Sequence, residues 1–198
     1  METGVGKTKV ELRQRMKDRL GTLSASLVRE TSAAVWERLP VMPGFVSARC
    51  VLAYVSQANE IDTHGLIQQL LAIGKRVCVP SFDGISRQYR ASELKDFQAD
   101  LAEGKFGIQE PKSEAVRLVR ADELEVMLVP GLAFDVHGNR IGRGLGFFDR
   151  LLTEARGVKI ALAYDFQLLE EAPADAHDVR MDFIVTEKRI VSCKGTNL

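Results

Sequence analysis

VMLVPGLAFDVHGNRIGRGLGFFDRLL, residues 126–152, joins three kinds of segment. Val126 to Val129 is a short continuous apolar run, the pattern of a strand buried on both faces. Pro130 and Gly131 end it. The loop that follows sets Gly138, Gly142, Gly144 and Gly146 among Arg140, Arg143 and Asp149. Phe147 to Leu152 reads as the first turns of a helix. A buried strand, a basic glycine-rich loop and a helix start together make an anion site. Glycines let backbone N–H groups converge, the helix N-terminus adds partial positive charge, and guanidinium forks match phosphate oxygens. Such a loop also serves simply to turn the chain, and glycine spacing alone does not choose between the two. The loop is not a P-loop, because no Gly-Lys-Ser/Thr follows it. It is not a dinucleotide fingerprint either, since Phe147 stands where the third glycine belongs.

Outward from this stretch, further apolar runs repeat the strand pattern: Cys50–Val55 (CVLAYV), Arg76–Pro80, Ile160–Tyr164 (IALAY) and Phe183–Thr186. Between them lie helical patterns. Lys7 to Leu20 carries Leu12, Met16 and Leu20 on one stripe and Lys9, Arg13 and Lys17 on another. Like charges four apart repel by a few tenths of a kcal/mol, roughly, which an anionic ligand would offset; a solvated basic face is the plainer reading. Ser24 to Leu39 is a second helix, with Trp36 assigned to packing and Pro40 and Pro43 closing it. After the first strand comes the loop Ser56-Gln57-Ala58-Asn59-Glu60. Asp62 or Thr63 then caps a helix to Leu71, stopped by Gly74. A loop after a parallel strand is where α/β proteins bind ligands, though Glu60 also fits as an acid favoured by a helix dipole.

Phe82 to Pro111 is turn-rich, with a strand expected at Gln88–Ala91 and a surface excursion ending in a rigid turn at Gly107–Pro111. Gln167 to Glu171 is expected as a short helix before Pro173. Strands alternating with helices indicate an α/β fold, layered around a mainly parallel sheet.

Bulk properties exclude several classes. With 198 residues and 45% hydrophobic content, the chain suits one domain, residues 1–198, with a substantial core. A formal net charge of zero gives no global argument for nucleic acid or a membrane surface. METGVGKTKV has no apolar leader core, and no apolar run is long enough to span a bilayer. Cys50, Cys78 and Cys193 form no metal or disulfide spacing and fit reduced thiols of a cytoplasmic protein. His64, His137 and His177 lack metal-ligand spacing; His137 reads as an exposed turn residue. No nucleophile elbow is present.

Pro130-Gly131-Leu132-Ala133-Phe134-Asp135 followed by Gly138-Asn139-Arg140-Ile141-Gly142-Arg143-Gly144-Leu145-Gly146-Phe147-Phe148-Asp149 resembles the signature of the 5-formyltetrahydrofolate cyclo-ligase family. The resemblance implies a three-layer α/β/α fold of the kind shared with sugar-phosphate isomerases and CoA transferases. It implies an ATP- and Mg2+-dependent ring closure of 5-formyltetrahydrofolate to the 5,10-methenyl form. By the same resemblance, Lys9 and Arg13 match a Lys-x-x-x-Arg pair that helps bind ATP, together with Arg140, Ile141, Gly142, Arg143, Gly144, Leu145, Gly146, Phe147 and Phe148. Val55 and Glu60 would contact the folate, with Arg143, Gly144, Leu145, Gly146 and Phe147 shared between the two substrates. Lys9 and Arg143 would be catalytic, and Asp149 and Asp178 would hold the metal. Gly107-Ile108-Gln109-Glu110-Pro111 also resembles a family segment, without an assigned role. Leu145 and Phe147-Phe148 depart from the family's usual Gly or Lys and Tyr-containing pair. The expected partners are small molecules only, and a monomer is expected over an oligomer. Two alternatives stand beside this reading: a homologue that binds folate or nucleotide without turnover, and an ATP-dependent enzyme acting on another formamide-like substrate.

Overall fold

The structure is a computed structural model describing residues 8–84, 88–104, 107–144, 147–175 and 178–193, with the side chain of Phe147 outside the description. In chain order its strands are β1 (Cys50–Leu52), β2 (Arg76–Asp83), β3 (Gln88–Leu94), β4 (Leu101–Glu103), β5 (Gln109–Pro111), β6 (Leu118–Val119), β7 (Val126–Val129), β8 (Ala133–Asp135), β9 (Arg140–Ile141), β10 (Val158–Leu162), β11 (Leu168–Leu169), β12 (Phe183–Val185) and β13 (Ile190–Ser192). Its α-helices are α1 (Lys9–Gly21), α2 (Ala25–Trp36), α3 (His64–Ala72), α4 (Phe97–Asp100) and α5 (Phe147–Glu154).

Eight strands form the central sheet in the order β13-β12-β10-β7-β1-β2-β3-β6. The run β12-β10-β7-β1-β2 is parallel. Antiparallel β13 extends one edge, and β3 and β6 extend the other. Side chains alternate between the two faces, as the pleat requires. On one face Val51, Val77, Leu128 and Ile160 pack with Met16 of α1, Val35 of α2 and Ile67 of α3. On the other, Leu52, Cys78, Met127 and Ile184 pack with Leu151 and Leu152 of α5. The sheet is therefore the middle layer of an α/β/α arrangement, and its inner strands β1, β7 and β12 are apolar throughout because both faces are covered. Truncating a side chain such as Leu128, fully buried, to alanine would cost about 2–5 kcal/mol.

Helix ends follow the local sequence. Thr8 caps α1: its hydroxyl accepts from the Glu11 amide at 3.3 Å, and the Glu11 carboxylate accepts from the Thr8 amide at 2.9 Å. This reciprocal cap fixes Lys9 as the first helical residue, while Lys7, expected in the helix, lies outside the described residues. The stripe Leu12, Met16 and Leu20 is buried as its spacing requires. Trp36 packs over Gly65 and donates its indole N–H to the Asp62 carbonyl at 2.8 Å. Asp62 caps α3 by accepting from the His64 amide at 2.9 Å, which frees the Thr63 hydroxyl to donate to the Tyr54 carbonyl at 2.5 Å.

Several segments differ from expectation. The strand at Gln88 runs on to Leu94, because β2 and β3 zip as an antiparallel ladder from Val77–Leu94 to Asp83–Gln88. The loop after Gly131 contains a hairpin, β8 and β9. Its turn is closed by the buried Asp135 carboxylate, which accepts from the amides of His137 and Asn139. Gly138, at φ +85°, seats against the Met181 carbonyl, where a Cβ would come to 2.5 Å. His137 is exposed, as expected of a turn residue. Gln167–Glu171 is no α-helix: a 3-10 turn, Asp165–Gln167, leads into β11, which pairs with β8. The Gln167 side chain explains the change, since it is buried and donates to the carbonyls of Gly131 and Leu132. Beyond β12, the chain turns back as β13. Cys50, Cys78 and Cys193 form no disulfide. Among the described residues, no helix is long and apolar enough to cross a membrane.

Candidate functional site

The order of the parallel strands sets the site. From β1 the sheet grows to β2 on one side and to β7 on the other, so the loops leaving β1 and β7 part and open a crevice at their carboxyl ends. A cleft of about 450 Å3 lies there, within the range of small-molecule sites. Tyr54 and Val55 after β1, Pro80 in β2, and Pro130 and Gly131 after β7 form its floor.

One wall is built from α1, the glycine turn and the start of α5. Lys9 and Arg13 project from α1, and Arg140, Gly142, Arg143, Gly144, Phe148 and Asp149 come from the turn and α5. The two pieces touch directly: Arg13 Nε donates to the Gly142 carbonyl at 3.0 Å. Gly144, at φ +105°, holds a conformation that side chains disfavour, and it lies beside the Arg13 guanidinium. Arg140 has only 5% of its side chain exposed and donates to Asp149 Oδ1 at 2.6 Å and to the Pro130 carbonyl at 3.2 Å. It lines the cleft while pinning the turn. Lys9 Nζ bridges Asp175 Oδ2 at 2.6 Å and Asp178 Oδ2 at 2.5 Å. Burial opposes the charge on Lys9, but hydrogen bonds to Asp175 and Asp178 outweigh it and raise its pKa above the ordinary value.

Glu60 stands at the mouth of the same wall. Its carboxylate accepts from Arg143 Nη2 at 2.7 Å and from the Gln57 amide at 2.9 Å. α3 begins only at His64, so Glu60 is not an acid of that helix's first turn. Its backbone is pinned from below: Tyr164 Oη donates to the Glu60 carbonyl at 3.2 Å and Tyr54 Oη to the Ile61 carbonyl at 2.8 Å. Burial and then the Glu60 charge raise both phenols, Tyr164 to about 12. Both therefore stay protonated donors at any physiological pH.

Of the residues expected from sequence, Lys9, Arg13, Val55, Glu60, Arg140, Gly142, Arg143, Gly144, Phe148, Asp149 and Asp178 all line this one cleft. Ile141 does not; it is 1% exposed, in the core beneath the turn. Leu145, Gly146 and His177 lie outside the described residues, and of Phe147 only the backbone, opening α5, is described. The second wall was not expected. It consists of Tyr89 from β3 and Ile108, Gln109 and Glu110 at β5, in the segment read from sequence as a surface excursion. Its signal was the Gly107–Pro111 segment itself, whose family likeness had no chemical role attached.

Asp149 and Asp178 suit a divalent ion only in a limited sense. Among the described residues, no cluster of three or more His, Cys, Asp or Glu is placed to hold a metal. Mg2+ keeps several waters and commonly takes one or two carboxylates plus phosphate oxygens. Two acids beside a phosphate-sized basic turn fit an ion that arrives with a nucleotide.

Comparison with known proteins agrees with this geometry. The sequence model described as "5-formyltetrahydrofolate cyclo-ligase family" matches residues 5–187. A 5-formyltetrahydrofolate cyclo-ligase of Mycolicibacterium smegmatis is 37% identical over 73% of this chain and 76% of its own length. That of Escherichia coli K12 is 30% identical over 88% of this chain and 98% of its own. The solved 5,10-methenyltetrahydrofolate synthetase of Aquifex aeolicus superposes with a TM-score of 0.84 at 32% identity, covering 96% of this chain and 95% of that one. With its α/β/α fold, its cleft at the strand switch and this match along nearly its whole length, the chain belongs to the 5-formyltetrahydrofolate cyclo-ligase family.

Proposed function

We propose that the protein catalyses the ATP- and Mg2+-dependent cyclisation of 5-formyltetrahydrofolate to 5,10-methenyltetrahydrofolate, releasing ADP and phosphate. Residues 1–198 act in this reading as one cytoplasmic, monomeric cyclo-ligase domain. Family membership and the names of its relatives support the ring closure. The observation that carries the rest is the meeting of α1 with the glycine turn, 129 residues away, at the Arg13–Gly142 bond.

The chemical obstacle is the formyl oxygen, a very poor leaving group. In the first step that oxygen bonds to the γ-phosphorus of ATP and the bond to the departing ADP oxygen breaks. In the second, N10 bonds to the formyl carbon and gives up its proton, and the C–O bond breaks as phosphate leaves. No protein nucleophile is needed; the substrates must be held in line and the phosphate charge balanced. Lys9 and Arg143 are the catalytic cations on the transferred phosphoryl group. Arg13 and the backbone of Gly142, Gly144 and Gly146 cradle the remaining phosphates, with Leu145, Phe147 and Phe148 completing the nucleotide side and Ile141 supporting the turn from the core. Arg140 acts by orienting Asp149. Val55 and Glu60 hold the folate. Asp149 and Asp178 would hold Mg2+, which when bound neutralises phosphate charge.

Incubating the purified protein with ATP, Mg2+ and 5-formyltetrahydrofolate is expected to generate the absorbance of the methenyl product. Folded protein giving no signal above a no-enzyme control would refute the proposal in favour of a non-catalytic binding homologue. A panel of other formamides would expose a different substrate.

A further inference from the structure

Five carboxylates line the cleft: Glu60, Glu110, Asp149, Asp175 and Asp178. Four are held by cations. Arg143 takes Glu60, Arg140 takes Asp149, and Lys9 takes both Asp175 and Asp178. Glu110 is the exception among the described residues: its carboxylate accepts from a neutral phenol, Tyr89 Oη, at 2.9 Å. No lysine or arginine among the lining residues belongs to its wall, which Tyr89, Ile108 and Gln109 otherwise form.

The position is built. Glu110 sits in β5 opposite Ala102 of β4. Its stem lies over Gly104, where a Cβ would come to 3.0 Å from Glu110 Cγ and 3.1 Å from Cδ. A side chain there would push the carboxylate aside. Tyr89 holds the other end, and its own pKa is raised to about 12, first by burial and then by its bond to Glu110, so it remains a donor.

Charge sorts the two substrates. A triphosphate is drawn to the cationic wall and repelled from a carboxylate that no described cation pairs. The reduced folate must therefore present its reacting edge to the hairpin wall. A carboxylate there seeks an N–H donor, and the one N–H that ring closure must break is that of N10.

We infer that Glu110 is the general base of the ring-closing step, with Tyr89 as its positioning residue. This rests on the cyclo-ligase reading. As N10 bonds to the formyl carbon, its N–H electron pair stays on nitrogen and the proton passes to a Glu110 carboxylate oxygen. The phosphate then departs with the C–O bonding pair. N10 is an aniline-type nitrogen and a weak nucleophile, so removing its proton during attack assists it; positioned bases of this kind give about 10²–10⁴-fold.

The test is Glu110→Gln, which keeps an acceptor for Tyr89 but cannot take a proton. Wild type is assayed alongside: a silent wild type overturns the cyclo-ligase reading and this inference with it, whereas an active wild type lets the variant decide this inference alone. With wild type active, the variant is expected to lose at least tenfold in kcat, with KM for folate and ATP within about twofold and equilibrium binding of 5-formyltetrahydrofolate intact. A raised KM with kcat preserved would make Glu110 a binding residue and overturn the inference, as would unchanged kinetics. Tyr89→Phe keeps the carboxylate but loosens it and is expected to lower kcat less than Glu110→Gln does; an equal or larger loss would move the proton-accepting role away from Glu110.

Discussion

The two walls of the cleft hold their charges by different means. On the cationic wall, ion pairs join segments far apart in the chain, Lys9 with Asp175 and Asp178 and Arg143 with Glu60, and a shorter link joins Arg140 to Asp149, nine residues on. In the proposed reading Lys9, Arg143, Asp149 and Asp178 are the charges of these pairs that would be presented to phosphate or metal. The hairpin wall is held by the β4–β5 register and by one phenol on one carboxylate, with no ion pair between its described lining residues. On the same reading the Lys9 and Arg143 pairs of the first wall would exchange internal partners for ligand, while the second would keep a basic oxygen fixed in place. Within the cationic wall the pairs also differ in burial. Arg140 is 5% exposed and Arg143 46%.

That difference gives the largest expected effect. Arg140→Met strands the Asp149 carboxylate, and breaking a largely buried pair leaves an uncompensated charge. We expect a loss of about 2–3 kcal/mol in urea unfolding, with turnover falling in parallel because Asp149 and the Pro130 carbonyl lose their anchor. A midpoint equal to wild type would show that the pair carries no structural role. Asp149→Asn strands the arginine instead and is expected to cost both stability and at least about tenfold in turnover, roughly 1.4 kcal/mol.

Arg143→Ala should separate the two properties. Its pair with Glu60 is solvent-exposed on the arginine side, and exposed pairs contribute about 0–1 kcal/mol to folding. Turnover should nevertheless drop by at least about tenfold. A folded variant with wild-type rate would remove Arg143 from the catalytic cations.

On the hairpin side, Asp100 ties the base of β4. Its carboxylate accepts from the Lys95 amide at 2.7 Å, the Asp96 amide at 3.2 Å and Arg117 Nη1 at 2.7 Å. The Arg117 bond, with help from the two amides, holds its pKa down at about 2 from the ordinary 3.8. A depressed folded-state pKa stabilises the protein above the unfolded value and loses that stabilisation as pH falls through the folded one. Stability should therefore decline between about pH 4 and about pH 2 in the wild type. Asp100→Asn should be less stable at neutral pH and flatter across that window. Parallel pH profiles for the two proteins would remove Asp100 from this role.

The same contrast decides what could be read from sequence. The cationic wall announces itself because its chemistry is carried by residue type: glycines and arginines at close spacing, and lysine and arginine one helical turn apart. The apolar runs at Val51, Val126 and Ile160 likewise declare a doubly covered parallel sheet. The hairpin wall has no such mark. Glu110 matters through its register opposite Ala102 and its bond to Tyr89, 21 residues away, and neither is a property of the segment itself. The strands β8, β9 and β11 were missed for a related reason. They are two or three residues long and exist because they pair with one another, not because their own alternation is strong. Gln167 looked helical by composition, yet its buried amide is committed to the Gly131 and Leu132 carbonyls. Tertiary hydrogen bonds outweighed local propensity there.

The mildest change tests whether the hairpin wall works by placement alone. Gly104 has an ordinary φ, so alanine is tolerated by the backbone, but the added methyl would press on Glu110 Cγ at 3.0 Å and on the Ile108 carbonyl at 3.1 Å. The side chain can swing away at a cost of about 1 kcal/mol or less. We expect Gly104→Ala to fold with near-wild-type stability and to lower kcat only severalfold, about 1 kcal/mol or less in the barrier. The informative measurement is the double variant. If Gly104 acts only by clearing space for the Glu110 carboxylate, Gly104→Ala should add nothing once Glu110→Gln is present, because groups in contact are not additive. Full additivity would mean that the methyl disturbs the cleft by another route, and that the fixed carboxylate is not what the glycine protects.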